Sequence, residues 1–289
     1  MKKIFILFCL LFTFPFYACY TPNNNLENNV DQTETENTTD VENDLNDDVF
    51  DNVFDDVTNE EIENLPLEKP ETEEDEQEKR KKTYIVSKVN GLRVRSAADT
   101  KSTVLGNLDE NDALIYVDKV GSFYKTTFKE KDAYVYADYC TTLEVEMASE
   151  QVERAIDVGS TLMGYPYVWG SQRYHWGNGI LNKNFVKGEF DCSALVQYAY
   201  YKADKILLDV TSRKQSYNGV AVKRSDLKRG DLMFFTNASR KDKVGEERIG
   251  HVGIYFGENY ILHTASDHAV IEPISALRWS YYITARRVA

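Results

Sequence analysis

The chain has 289 residues, with 47 acidic and 34 basic side chains and a formal net charge of −13. The acidity is local: residues 20–82 carry 22 acidic and 5 basic side chains, whereas residues 83–289 carry 25 and 27. A near-neutral remainder, with only two bases in excess, gives no electrostatic nucleic-acid platform, and the acidic stretch says little about a substrate.

At the N-terminus, Met1-Lys2-Lys3 precedes the apolar run Ile4–Phe12, the pattern of a signal peptide over residues 1–18. The run falls short of the roughly 20 residues that a membrane-spanning helix needs. Ala18 directly before Cys19 resembles a bacterial lipoprotein cleavage box, with Phe16 where such boxes usually carry Leu. The resemblance implies lipidation of Cys19 and attachment to a membrane; the alternative is an ordinary signal peptide with an incidental cysteine. Of the four cysteines only Cys140 and Cys192 then remain, and two free thiols are expected rather than a disulfide framework. Tyr20 follows Cys19 where an Asp would mark inner-membrane retention, so the expected location is the cell envelope, at the periplasmic face of the outer membrane if the organism has two membranes.

Residues 19–82 are rich in Asn, Asp, Glu and Thr with isolated apolar residues, too few to offset the chain entropy of folding. A disordered tether is expected, stretched by its like charges beyond the roughly 40 Å of a flexible coil of that length. From 83 to 146 the chain changes to short alternating runs such as Tyr84-Ile85-Val86, Leu92-Arg93-Val94, Leu114–Val117 and Ala133–Tyr136, the signature of a small β-barrel. Leu92–Ser96, Val104–Gly106, Phe123–Lys125 and Ala133–Val135 resemble the bacterial SH3-like wall-targeting domain. Phe123 stands where that family often has Trp, and a wall-binding module and a rigid spacer both stay open.

Residues 147–289 form a further α+β unit. A helical period over 149–163 places Val152, Ala155, Ile156 and Gly159 on one face, with Ser149 as N-cap and Gly164 and Pro166 as the stop. Asp191 begins a second helix-compatible run, which puts Cys192 in the first turn, where the helix dipole and unpaired N–H groups favour a thiolate. A buried core cysteine is the alternative. The segment Gly250–His263 reads as a β-hairpin turning at Gly257, which sets His251 directly opposite His263 on one face. A thiol with a base and an orienting partner suits nucleophilic catalysis. One cysteine and two histidines could also hold zinc, but no fourth ligand at familiar spacing accompanies them.

These residues carry a family resemblance. Gly164–Gly170, Asp191-Cys192-Ser193, Arg229–Phe235, Gly250–Tyr255 and His263 resemble, in family order, the NlpC-type (NlpC/p60) cell-wall cysteine peptidases, which have a papain-like fold. The resemblance implies Cys192 as nucleophile, His251 as general base and then acid, and His263 as the polar third member. It also implies that Tyr167, Asp191 and Ser193 line the site and hold the free amine of a peptidoglycan stem peptide. Core packing is the simpler reading of Tyr167 and Trp169, and for Trp169 the preferred one. Residues 171–189 and 237–249 exceed the usual family links, and such loops beside a site serve as lids or specificity walls.

The expected protein is thus a monomeric, envelope-anchored peptidoglycan hydrolase that cuts the γ-D-glutamyl–diamino acid bond without metal or organic cofactor. Two rival functions remain: a non-catalytic peptidoglycan-binding lipoprotein, and an amidase or acyltransferase of related papain-like fold.

Overall fold

The computed structural model describes residues 80–265 and 267–289; the expected leader, Cys19 and nearly all of the acidic tether lie outside the described residues. Eight strands come first: β1 (Lys81–Ser87), β2 (Leu92–Arg95), β3 (Val104–Leu108), β4 (Ala113–Ile115), β5 (Asp118–Val120), β6 (Phe123–Phe128), β7 (Lys131–Tyr136) and β8 (Cys140–Glu146). They pair as a three-stranded sheet, β4-β1-β8, and a five-stranded sheet, β3-β2-β7-β6-β5. Alternation drives the inward face: Leu92 and Val94 of β2 and Ala133 and Val135 of β7 are buried, while Arg93 and Asp132 point to solvent. The first strand begins inside the stretch assigned to the tether. Lys81 pairs in register with Glu146 and lies 3.6 Å from Glu144, and Lys82 meets Asp157, so opposed charges recruit the basic run into the sheet.

Ser149 then caps α1 (Glu150–Thr161), its side chain accepting the N–H of Val152. The helix α2 (Cys192–Asp204) buries every residue from Cys192 to Tyr200, so it runs through the interior rather than along a surface. After α3 (Ser212–Gln215) and β9 (Val220–Val222) come β10 (Leu232–Phe235), β11 (His251–Gly257), β12 (Tyr260–Ala265) and β13 (His268–Pro273). A short α4 (Ala276–Ser280) leads to β14 (Tyr282–Arg287). The six strands form one antiparallel sheet in the order β13-β12-β11-β10-β14-β9, on which α2 packs with α1 beside it. This is the expected α+β class.

The barrel and the α+β unit share one core. Arg229, 7% exposed, donates to both carboxylate oxygens of Glu153 on α1, to the Phe256 carbonyl on β11 and to the Tyr84 hydroxyl on β1. Burial alone would raise the Glu153 carboxyl, but the guanidinium outweighs it and holds Glu153 below its usual range. Nearby, the Phe128 ring lies where a Cβ on Gly106 or Gly164 would have to be. Gly164 sits at φ +86°, so both space and backbone require glycine there. Beside it the β6–β7 turn is fixed by Lys129 N–H to Met163 O and Glu130 N–H to Thr161 O, at 3.0 and 2.8 Å.

Arg229→Ala would leave a buried carboxylate without its cation. A loss of about 3–5 kcal/mol is expected, seen as a lower midpoint in urea unfolding; a change within error would show that the network adds nothing to stability.

Candidate active site

Asp191 is the pivot of the nucleophile's position. Its Oδ1 accepts the N–H of Ala194 at 2.9 Å, capping α2 and fixing Cys192 as the first helical residue. The thiol is buried, and the backbone N–H groups of Val252 and Ser193 point at its sulfur. Cys192 and Cys140 are both free, as expected. The thiol is not the depressed one that a helix start suggested. Burial, joined by the Asp191 carboxylate, pushes it up to about 11, and the two N–H groups and Arg173 offset only part of this.

The sheet supplies the second half. Ile254 pairs with Leu262 and Tyr255 with Ile261, and the register then shifts at Gly257, which pairs with Tyr260. The turn residues Glu258 and Asn259 both have positive φ, so the hairpin closes on them and not on Gly257. The expected direct opposition of His251 and His263 is therefore incorrect by two residues. Continued, the register sets His263 against Gly253, where an added Cβ would lie 3.0 Å from the His263 Cβ. Because the slip is even, both imidazoles stay on one face as diagonal neighbours, and His251 Nε2 lies 2.8 Å from His263 Nδ1.

A third strand extends the series. His263 pairs with Val270, so Glu272 is again the diagonal neighbour, with Oε1 3.0 Å from His263 Nε2 and 3.2 Å from Arg278 Nη2. Burial would raise Glu272, but His263 and Arg278 outweigh it and keep it below the usual carboxylate range. An ionised carboxylate only accepts, so His263 carries its proton on Nε2 and accepts at Nδ1. His251 must then donate from Nε2, which leaves its Nδ1 lone pair free. Burial first, then the charges of His263 and Arg278, lowers His251 well below the ordinary histidine range. Burial also lowers His263, with Glu272 pulling it partly back. The resting site therefore pairs a neutral thiol with a neutral base.

Two neighbouring clefts open here and share Tyr167, Asn237 and Gly250. One, of about 370 Å³, exposes Cys192, Asp191, Ser193, Arg173 and Trp169; the other, of about 420 Å³, exposes His251 and Arg278. Tyr167, Asp191 and Ser193 all line the first. Trp169 does not pack in the core: it is 85% exposed and lines the cleft beside Gly170. The 171–189 segment is a packed wall, with Tyr174 against Phe185, Tyr198 and Tyr201. The 237–249 segment supplies Asn237, Ser239, Arg240 and Ile249 to the cleft. Sequence reasoning missed Arg173, Glu272 and Arg278; only the spacing of Glu272 from His263 across a second hairpin carried a signal.

Two family models match the chain: the NlpC/P60 family over residues 164–288 and the bacterial SH3 domain over residues 90–141. The peptidoglycan DL-endopeptidase CwlO of Bacillus licheniformis is 31% identical over 144 residues, 49% of this chain and 29% of that protein. The murein DD-endopeptidase MepS/murein LD-carboxypeptidase of Escherichia coli K12 is 33% identical over 143 residues, 48% of this chain and 68% of its own length. The gamma-D-glutamyl-L-lysine dipeptidyl-peptidase of Bacillus cereus is 32% identical over 135 residues, 46% of this chain and 35% of that protein. The match thus spans about a third of CwlO and of the Bacillus cereus peptidase, and about two thirds of MepS.

Nitrogen-15 NMR across a pH series checks the proton order. Both His251 and His263 are expected to hold their proton on Nε2 and to stay neutral as the pH falls through about 6.5; an Nδ1 proton on His251 would reverse the order.

Proposed function

Since the chain belongs to the NlpC/P60 family, we propose that it hydrolyses peptidoglycan stem peptides as a cysteine endopeptidase, with Cys192 as nucleophile, His251 as base and acid, and His263 as orienting partner. The observation that carries this reading is the directed series Glu272, His263, His251, which leaves one unprotonated imidazole nitrogen on His251, the chain neighbour of Val252, whose backbone N–H meets the Cys192 sulfur. A thiol held near 11 attacks only as it loses its proton, so transfer from Sγ to His251 Nδ1 accompanies attack on the amide carbon. The new oxyanion takes the Cys192 backbone N–H. His251 then gives its proton to the leaving amine, and water cleaves the thioester by the same path in reverse order. Arg278 and Glu272 keep the series in register throughout.

The bond cut is the one between the γ-carboxyl of D-glutamate and the diamino acid. The name of the Bacillus cereus relative carries the γ-D-glutamyl-L-lysine linkage and that of CwlO a DL bond, whereas the MepS name carries a DD-endopeptidase and an LD-carboxypeptidase. The protein acts in the cell envelope, lipid-anchored through Cys19 after removal of residues 1–18, on the outer-membrane face where two membranes exist. It works as a monomer.

With purified muropeptides, mass spectrometry of the products is expected to show scission after γ-D-glutamate, abolished in Cys192→Ala and unaffected by chelators; cleavage that survives Cys192→Ala would reject this chemistry. Glu272→Ala is expected to lower kcat about 10- to 100-fold with little change in KM. Glu272→Gln keeps an acceptor oxygen and should lose less. A mass for the mature N-terminus that lacks lipid on Cys19 would remove the anchor.

A further inference from the structure

Of the three residues expected to hold a free amine, the carboxylate of Asp191 and the hydroxyl of Ser193 are already engaged. Arg173 Nη2 lies 2.8 Å from Asp191 Oδ2 and 3.1 Å from Ser193 Oγ, while Asp191 Oδ1 serves Ala194 N–H at 2.9 Å and the Ser193 hydroxyl at 3.0 Å. Arg173 is held on its other side by the carbonyls of Ser171 and Val210. Its side chain is 14% exposed and that of Asp191 8%, so this is a sheltered ion pair and not a surface contact. A substrate ammonium could reach Asp191 only by displacing a guanidinium that four bonds hold, which would leave that guanidinium buried without its anion.

The rest of the cleft repeats the sign. Arg213 and Arg240 also line it, and both lean on the single carboxylate of Glu247, at 2.8 and 3.1 Å. Three guanidiniums against the two carboxylates Asp191 and Glu247 leave one positive charge in excess beside the nucleophile. Such a wall repels an ammonium and receives a carboxylate. At the rim, the exposed Trp169 ring offers an apolar face to whatever extends from the substrate's amino end.

We infer that Arg173 is a specificity-determining residue that makes this cleft take stem peptides whose amino terminus is acylated, as in stems still joined to the glycan, and reject those with a free amine. The inference rests on the peptidoglycan hydrolase reading above and narrows its substrate class. Polymeric wall or its glycan-linked fragments would be the substrate, and released free-amine peptides would not.

The test compares three substrates on the full chain: the tripeptide L-Ala-γ-D-Glu-diamino acid, its N-acetyl derivative and its N-acetylmuramoyl derivative. The acylated pair are expected to show kcat/KM about tenfold or more above the free amine at pH 6.5. The gap should narrow as the pH rises through about 8, where the substrate amine loses its proton. Arg173→Met should speed the free-amine substrate and shrink the ratio, Arg173→Lys should retain it, and Trp169→Ala should slow the muramoyl substrate more than the acetyl one. Equal or better cleavage of the free amine by the unaltered protein overturns the inference and leaves the hydrolase reading intact. Cleavage of none of the three overturns both. Should Arg173→Met fail to fold, the ratio and its pH dependence in the unaltered protein still decide.

Discussion

One buried guanidinium holds the geometry together. Arg229 reaches α1 through Glu153, β11 through the Phe256 carbonyl and β1 of the barrel through Tyr84. Helix α1 backs α2, which starts at Cys192, and β11 starts at His251, so the two halves of the site are referred to a common anchor. An ion pair in such a place contributes little net attraction beyond its desolvation cost. Its effect is directional: planar donors reach three acceptors only when the three elements sit at one set of distances.

On that frame the site is built by repetition across the sheet. His251, His263 and Glu272 occupy successive strands, each on the diagonal of the last, so one strand spacing sets both bonds of the series. The ionised end at Glu272 orients every proton up to His251. Burial keeps both imidazoles and the thiol uncharged at rest, which spares the interior an unpaired charge until substrate arrives. Charge separation is then confined to the step that needs it.

What could be read from the sequence was what short-range chemistry decides. Ser149 and Asp191 cap helices because their side chains bond N–H groups three residues on, and both caps form. The shared face of His251 and His263 follows from strand parity, which survived a misjudged turn because the slip was even. The turn itself was misjudged because Gly257 is a bulge, and Glu258 and Asn259, neither of them glycine, supply the left-handed pair. Burial was illegible: a helix start favours a thiolate, yet the burial of Cys192, joined by the Asp191 carboxylate, outweighs it. Trp169 shows the reverse error, an aromatic assigned to the core that stands in solvent. Arg173 lies 18 residues from the Asp191 it bonds, with no local pattern to join them, and Glu272, 9 residues from His263, could be found only through the register of a second hairpin.

The seating of Phe128 bears on how such chains diversify. Its ring occupies the volume that two glycines leave open, one on the barrel at position 106 and one at the start of the Tyr167 loop at position 164. A barrel inherited from another lineage would bring its own residue to that seat, and anything other than a flat ring of that size leaves a void or a collision under the loop that shapes the cleft. Recombination between whole domains is therefore costly here, and divergence must proceed through matched changes at both ends of the joint.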